Sequence, residues 1–361
     1  MQLETMLKDM IAKRASDVFV LPGLPLSYKL GGQQVRTDSA PLTPADTQEF
    51  AQELYRAANR DINIFLEKNN HDDDFSFALP GIGRFRANFF RQRGSVGAVI
   101  RVIPFGLPDP KEYHIPQIVL DLAKINKGLV LVTGPAGSGK STTLACIIDY
   151  LNNTRTGHII TMEDPIEYVH KHNKCIVTQR EIPTDISTFS EALNSAMRES
   201  PDVILLGEMR DPETISTAVT AAEMAQLLFS TLHTTGAAGT IDRIIDAFPA
   251  NQQRQIRIQL SMVLQAVVSE QLVPSIDGGV LPAFEIMISN DAIRNLIREE
   301  KTHQIDSFIA ANNASGMITM DQSLFNLYKE GKITKETVLQ YGIHQESLKK
   351  RLSMEEPPIE E

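Results

Sequence analysis

Eight consecutive residues carry the clearest chemistry in the sequence. Gly134-Pro135-Ala136-Gly137-Ser138-Gly139-Lys140-Ser141 meets the spacing G-x-x-x-x-G-K-[ST] in full. Glycines let such a loop turn its N–H groups inward onto a phosphate, and the N-terminus of the helix behind it adds a positive dipole end. In that arrangement Lys140 neutralises β- and γ-phosphates, Ser141 ligates Mg²⁺, and Thr142 continues the binding set. The flanks supply the context that the motif needs. Gly128 to Thr133 is an apolar, β-branched run with the length of a buried parallel strand, and Thr142 to Ile148 reads as the first turns of a helix. A glycine-rich turn ahead of an ordinary helix is the alternative. With strand and helix both in place, the spacing points to a nucleoside triphosphate with Mg²⁺.

Three more stretches end apolar runs with polar groups. Pro201 to Glu208 is an apolar strand closing on a carboxylate, where nucleotide-hydrolysing P-loop proteins place an acid that meets the metal through water. Ile160 to Glu167 ends another with clustered acids, and Glu163 there is a candidate base for the water attacking a γ-phosphate; Glu163 as a solvated strand end before an Asp164-Pro165 turn is equally compatible. His233 follows the strand Leu227 to Leu232. A lone histidine is more often structural, but ligands of open α/β sheets bind at the carboxyl ends of strands, and four such ends here carry polar groups. Arg84 and Arg86 alternate with apolar residues and so share a strand face, with Arg101 on the next strand. They can supply transition-state charge from outside the loop domain, or guard an edge strand; on residue pattern alone the edge strand is favoured.

The elements that must position these groups fall into two parts. Residues 1–103 read as a mixed α/β domain. A helix over Leu3 to Lys13 leads to strands near Asp17 to Val20 and Leu26 to Leu30, then a helix over Pro44 to Ala58. A hairpin joins Phe75–Leu79 to Arg84–Phe90 through Pro80-Gly81-Ile82-Gly83, and a last strand covers Val96 to Ile103. Residues 104–114, rich in Pro and Gly, read as a linker. Residues 115–289 alternate strand and helix, the pattern of a parallel sheet with crossover helices: strands at Gly128–Thr133, His158–Glu163, Asp202–Leu206, Leu227–Leu232, and one more after Gly279, Val280 to Met287. Residues 290–353 read as consecutive helices, and 354–361 as a disordered acidic tail. Composition adds exclusions. At 42% hydrophobic and 22% charged the chain of 361 residues is an ordinary globular sequence with no run of membrane-spanning length, and the N-terminus lacks a signal-peptide core. Two cysteines, with no C-x-x-C pair, fit a reducing compartment and exclude a four-cysteine zinc site. A net charge of −10 and the absence of tryptophan argue against direct nucleic-acid binding.

Taken together, Gly134–Thr142, Glu163-Asp164-Pro165-Ile166-Glu167, Gly207-Glu208-Met209-Arg210-Asp211 and Thr231-Leu232-His233-Thr234-Thr235 resemble the Walker A, Asp box, Walker B and His box of the secretion-superfamily ATPases. Ala292-Ile293-Arg294-Asn295-Leu296-Ile297-Arg298-Glu299 is similar to the signature of one branch, the PilT-type retraction ATPases of type IV pili, which Ser315-Gly316-Met317 and Met320-Asp321 also fit. The resemblance runs from about Ala15 to Tyr341. It implies an α/β fold in which a smaller PAS-like α+β domain precedes a RecA-like P-loop ATPase domain and a helical C-terminal segment, and a homohexameric ring with ATP between the two domains. It assigns Glu163 as catalytic glutamate, Glu208 as Walker B glutamate, His233 as sensor of the nucleotide state, and Arg86 and Arg101 as arginines supplied by N-terminal strands. The implied partners are an inner-membrane pilus platform protein and a paralogous retraction ATPase. The implied place is the cytoplasmic face of the bacterial inner membrane, reached only through those partners. The pattern departs from the family at Asn194, where an arginine is usual, at Met224-Ala225-Gln226, usually T-G-H, and at Val18-Phe19, usually Leu-His. Two other readings stay open: a motor of a type IV secretion or conjugation system, against which the Ala292–Glu299 signature argues, and a weakly active regulatory paralogue of the retraction ring, which the Asn194 departure keeps open.

Overall fold

The computed structural model describes residues 3–66, 72–103, 106–224 and 226–355. It divides into two compact units, Met1–Gly106 with Pro165–Val169, and Leu107–Asp164 with His170–Glu361. Two boundaries differ from the sequence expectation. The expected linker residues 107–114 go with the second unit, where the Cys146 thiol lies against the Pro108 carbonyl at 3.6 Å. The segment Pro165–Val169 goes with the first, where Arg84 Nη1 donates to the Ile166 carbonyl at 2.5 Å. Linker residues 104 and 105 lie outside the described residues, as do 356–361 of the expected tail.

The first unit opens with α1 (Leu3–Ala12), whose buried Leu3, Met6, Leu7 and Met10 fall on one helical face. Strands β1 (Asp17–Val20), β2 (Ser27–Leu30) and β3 (Gln33–Arg36) follow. Next comes α2 (Pro44–Ala57), started by a capping box between Thr43 and Asp46 with Pro44 in the first turn, and a single turn, α3 (Asn63–Leu66). Strands β4 (Asp72–Leu79), β5 (Gly83–Gln92) and β6 (Ser95–Ile103) complete an antiparallel sheet of order β3-β2-β1-β6-β5-β4. Strand β5 shows why: Phe85, Ala87 and Phe89 are fully buried while Arg84, Arg86 and Asn88 take the other face. Strand β3 carries no such alternation, since all four residues are exposed, and it has no counterpart in the sequence reading.

The second unit contains α4 (Gln117–Leu120), β7 (Gly128–Thr133), α5 (Lys140–Thr154), β8 (Gly157–Glu163), β9 (Cys175–Glu181) and α6 (Phe189–Ala196). It continues through β10 (Val203–Leu206), α7 (Pro212–Glu223), β11 (Leu227–Leu232), α8 (Ala237–Asp246) and α9 (Ala250–Val263). Then come β12 (Leu264–Pro274), β13 (Val280–Ile288), α10 (Asp291–Arg298), α11 (Ile305–Ala311), α12 (Met320–Lys329), α13 (Lys335–Tyr341) and α14 (Gln345–Glu355). The sheet order is β13-β12-β7-β11-β10-β8-β9; only the β12–β13 pair is antiparallel. Alternate residues of the central strands feed two apolar layers. Leu129, Leu131, Ile204, Leu206 and Leu228 pack with residues of α7, α8 and α9, whereas Val130, Val132, Val203, Leu205 and Phe229 pack with α4 and α5. A sheet covered on both faces reads as continuous apolar runs, so β7, β10 and β11 were legible. Strands β9 and β12 are additions. Strand β12 starts at Leu264 directly after α9 ends at Val263, with no turn residue between them, and it carries Gln265, Ser269, Glu270 and Gln271 within an apolar run. The closing helices pack around Leu324, Phe325, Val338, Leu348 and Leu352, and α14 carries the helical segment to Glu355. Among the described residues no helix is long and apolar enough to cross a membrane.

Candidate active site

The glycine loop spans the gap between β7 and α5, and its conformation is one that side chains would block. Gly139 caps α5 with φ 104°, in the left-handed region, and Gly134 has φ 143°. A Cβ on Gly134 would run into the Glu270 carbonyl oxygen and come within 2.6 Å of Ser138 Oγ; one on Gly139 would run into Glu270 Oε1. The loop is therefore pressed onto β12 at two points. Lys140 is 8% exposed and donates to the carbonyls of Gly134 at 2.9 Å and Pro135 at 2.8 Å, which holds its ammonium over the loop. Ser138 Oγ is buried without a hydrogen-bond partner among the described residues. A buried orphan hydroxyl, a backbone cradle kept clear of Cβ atoms and a helix N-terminus together fit an anionic phosphate chain. Ser141 and Thr142, half-buried in the first turn of α5, stand beside that cradle.

The other predicted acids arrive at the same edge of the sheet. Strands β8 and β10 are parallel neighbours, and Gly207 donates its N–H to the Met162 carbonyl at 2.7 Å. A Cβ on Gly207 would lie 3.3 Å from Glu163 Cα, so the two acid-bearing strand ends approach closely there. Glu163 Oε1 accepts from Thr161 Oγ1 at 2.7 Å and from Gln179 Nε2 of β9 at 3.3 Å, which fixes the carboxylate. Glu208 is only 16% exposed; its oxygens meet Arg210 Nε at 2.7 Å and His233 Nε2 at 3.5 Å. His233 sits half-exposed in a cleft of about 260 Å³ that Glu208, Arg210, Thr231, Thr234 and Arg243 also line. It is not a packed core histidine. His170 is: it is 8% exposed, and desolvation pushes its pKa down to about 4. For a divalent cation, Ser141 and Glu208 offer oxygen donors at this edge, hard ligands of the kind that suit Mg²⁺. Among the described residues no cluster of three or more His, Cys, Asp or Glu side chains could hold a metal by itself.

Arg86 and Arg101 belong to the first unit. They face each other across β5 and β6 as register partners. Arg86 grips Asp74 with Nε at 2.9 Å and Nη2 at 2.6 Å, and Arg101 Nε meets the buried Asp17 at 2.7 Å. The edge-strand explanation fails, because β5 lies between β6 and β4, and β6 between β1 and β5. Of the departures, Asn194 stands on α6 in a surface depression with Glu191, Arg198 and Glu213. Met224 is an exposed residue just past α7, and Ala225 lies outside the described residues.

One residue of the site was missed. Glu270 is 2% exposed, accepts from Thr143 Oγ1 at 2.8 Å and lies against Gly139. Burial pushes its carboxyl up to about 7, against the Thr143 hydroxyl and the Lys140 ammonium, which pull it down. Its signal was a carboxylate between Val267-Val268 and Leu272-Val273, readable only once Leu264 to Pro274 is seen to be a strand.

The chain is similar to known proteins over most of its length. The family model described as "Type II/IV secretion system protein" matches residues 111–334. The type IV pilus retraction ATPase PilT of Pseudomonas aeruginosa is 48% identical over 323 residues, covering 89% of this chain and 92% of the relative. The type IV pilus ATPase PilU of the same organism is 40% identical over 343 residues, 95% of this chain and 89% of the relative. A crystal structure of the pilus retraction motor PilT with bound ADP superposes with a TM-score of 0.89 at 46% identity, covering 97% of this chain and 99% of that one.

Proposed function

Because the chain belongs to the type II/IV secretion ATPase family and, within it, to the PilT-type retraction branch, we infer that it hydrolyses ATP to drive type IV pilus retraction, the force behind twitching motility. The observation that carries this reading is the convergence of four elements on one sheet edge: the glycine loop after β7, Glu163 after β8, Glu208 after β10 and His233 after β11. Residues 134–142 bind the polyphosphate through loop N–H groups, with Lys140 neutralising its terminal charge. Ser141, and Glu208 through water, are the residues that would hold Mg²⁺, whose charge offsets that of the phosphates. Glu163, aimed by Thr161 and Gln179, accepts the proton of the attacking water. His233 reads the state of the site through Glu208, and Arg86 and Arg101 stabilise transition-state charge. The working assembly is a homohexamer that acts on an inner-membrane platform protein, alongside a paralogous retraction ATPase, from the cytoplasmic face of the inner membrane.

Lys140→Ala tests the reading at its base. The purified variant should keep its fold and lose hydrolysis, since the ammonium that Lys140 holds over the loop carbonyls is gone, and cells carrying it should not twitch. Hydrolysis at the unsubstituted rate would remove the phosphate-loop assignment.

A further inference from the structure

We propose that Glu270 is a positioning residue of the phosphate loop whose charge competes with the polyphosphate for Lys140, so that nucleotide affinity falls as Glu270 ionises. The inference rests on the phosphate-loop reading above and adds to it a proton-linked control. Three contacts carry it. The Glu270 carbonyl oxygen lies against Gly134, its carboxylate lies against Gly139, and Oε2 accepts from Thr143 Oγ1 at 2.8 Å, so one residue of β12 supports both ends of the loop and the first turn of α5. The side chain is 2% exposed, so little water screens its charge from Lys140. Among the described residues, the titratable groups that interact electrostatically with it are Lys140 and the Cys146 thiol, both on α5; its register partner on β13 is the uncharged Phe284. Glu285 and Ser269 take the opposite face of the strands and meet Ala237 and Gly236 instead.

The sign follows from linkage. Bound phosphates place negative charge beside the carboxyl and favour its protonated form, so the carboxyl of the bound state releases its proton at higher pH than that of the free state. Affinity is then greatest below about 7, where burial has already brought the free carboxyl, and declines above it. A further rise of about one unit on binding corresponds to a loss of about tenfold in affinity.

The test is ADP binding to the full-length protein by calorimetry between pH 6 and 8.5, without added divalent cation, for the natural chain and for Glu270→Gln. The amide is permanently neutral and nearly the same size. The ratio of the two affinities, in which the titration of ADP itself cancels, should be near one at low pH and reach about tenfold in favour of Glu270→Gln at high pH. A ratio that does not change with pH overturns the proposal while leaving the phosphate loop intact; failure of both proteins to bind ADP at any pH overturns the phosphate-loop reading itself. Should Glu270→Gln not fold, Thr143→Val gives the same test. Loss of the hydroxyl donor disfavours the carboxylate, so the decline in affinity must move to higher pH, and an unmoved decline refutes the role of Glu270.

Discussion

At the scale of single residues, what the site needs is not only an acid near the γ-phosphate but an acid whose orientation is fixed. Glu163 has that orientation from Thr161 and Gln179, both of which donate to the same oxygen, Oε1. A glutamine keeps an oxygen able to accept both hydrogen bonds, so Glu163→Gln preserves geometry and removes basicity. Nucleotide should bind with unchanged affinity while kcat falls on the order of 10²-fold or more. Loss of binding together with turnover would instead make Glu163 a structural group or a metal ligand. Residues of this kind are legible because local motifs name them: Lys140 and Ser141 open α5 behind the glycine loop, and Glu208 and His233 follow the ends of β10 and β11. Glu270 was illegible for the converse reason. It acts from behind the loop, 127 positions away from Thr143 in sequence, and no local pattern links the two.

At the scale of elements, the same physics separates what could be read from what could not. Strands buried on both faces announce themselves as apolar runs, and helices as apolar stripes. A strand such as β12 that continues a helix without a turn, with a buried Ser269-Glu270 pair in its middle, imitates neither. Helix α10 is a case where the periodicity sufficed. Ile293 and Ile297 are fully buried, Leu296 packs beside them, and Asn290 caps the helix by accepting from the Ile293 N–H at 3.0 Å. That leaves Arg294 and Arg298 one turn apart on another face. The Arg294 contact with Asp291 is 3.5 Å long and Asp291 is fully exposed, so water screens this ion pair and it contributes little to stability. Arg294→Glu with Arg298→Glu should therefore leave folding and ATP hydrolysis nearly unchanged while pilus retraction fails in the cell. Normal twitching at normal protein abundance would show that the ridge meets no partner in the motor.

At the scale of the whole molecule, the boundary of the nucleotide-binding unit was legible only roughly. Proline and glycine punctuation marks the linker, but residues 107–114 belong with the second unit, and the short Pro165–Val169 segment belongs with the first. No local signal announces that a segment leaves its own unit, since the cause is a distant partner, the Arg84 guanidinium. The strongest functional question at this scale is why the first unit sets Arg86 and Arg101 opposite each other. Like charges directly across an antiparallel pair are destabilising, and neither strand is an edge that charge would protect. Asp74 and Asp17 offset the repulsion, yet apolar or neutral residues would serve the sheet as well. We propose that the pair supplies transition-state charge. Arg86→Ala with Arg101→Ala should cost the first unit little stability, with Asp17 keeping its hydrogen bond from Ser16 Oγ at 2.8 Å. The melting temperature and ADP affinity should stay close to those of the natural chain, while kcat drops by on the order of 10³-fold, the scale of an arginine finger. Single variants should lose less than the double, since two guanidiniums share the charge. Natural turnover in the double variant would return both arginines to the fold of the first unit. A parallel loss of melting temperature and turnover would mean that the acids, once unpaired, unfold the sheet. A fall in kcat alone, at constant ADP affinity, separates transition-state charge from both outcomes.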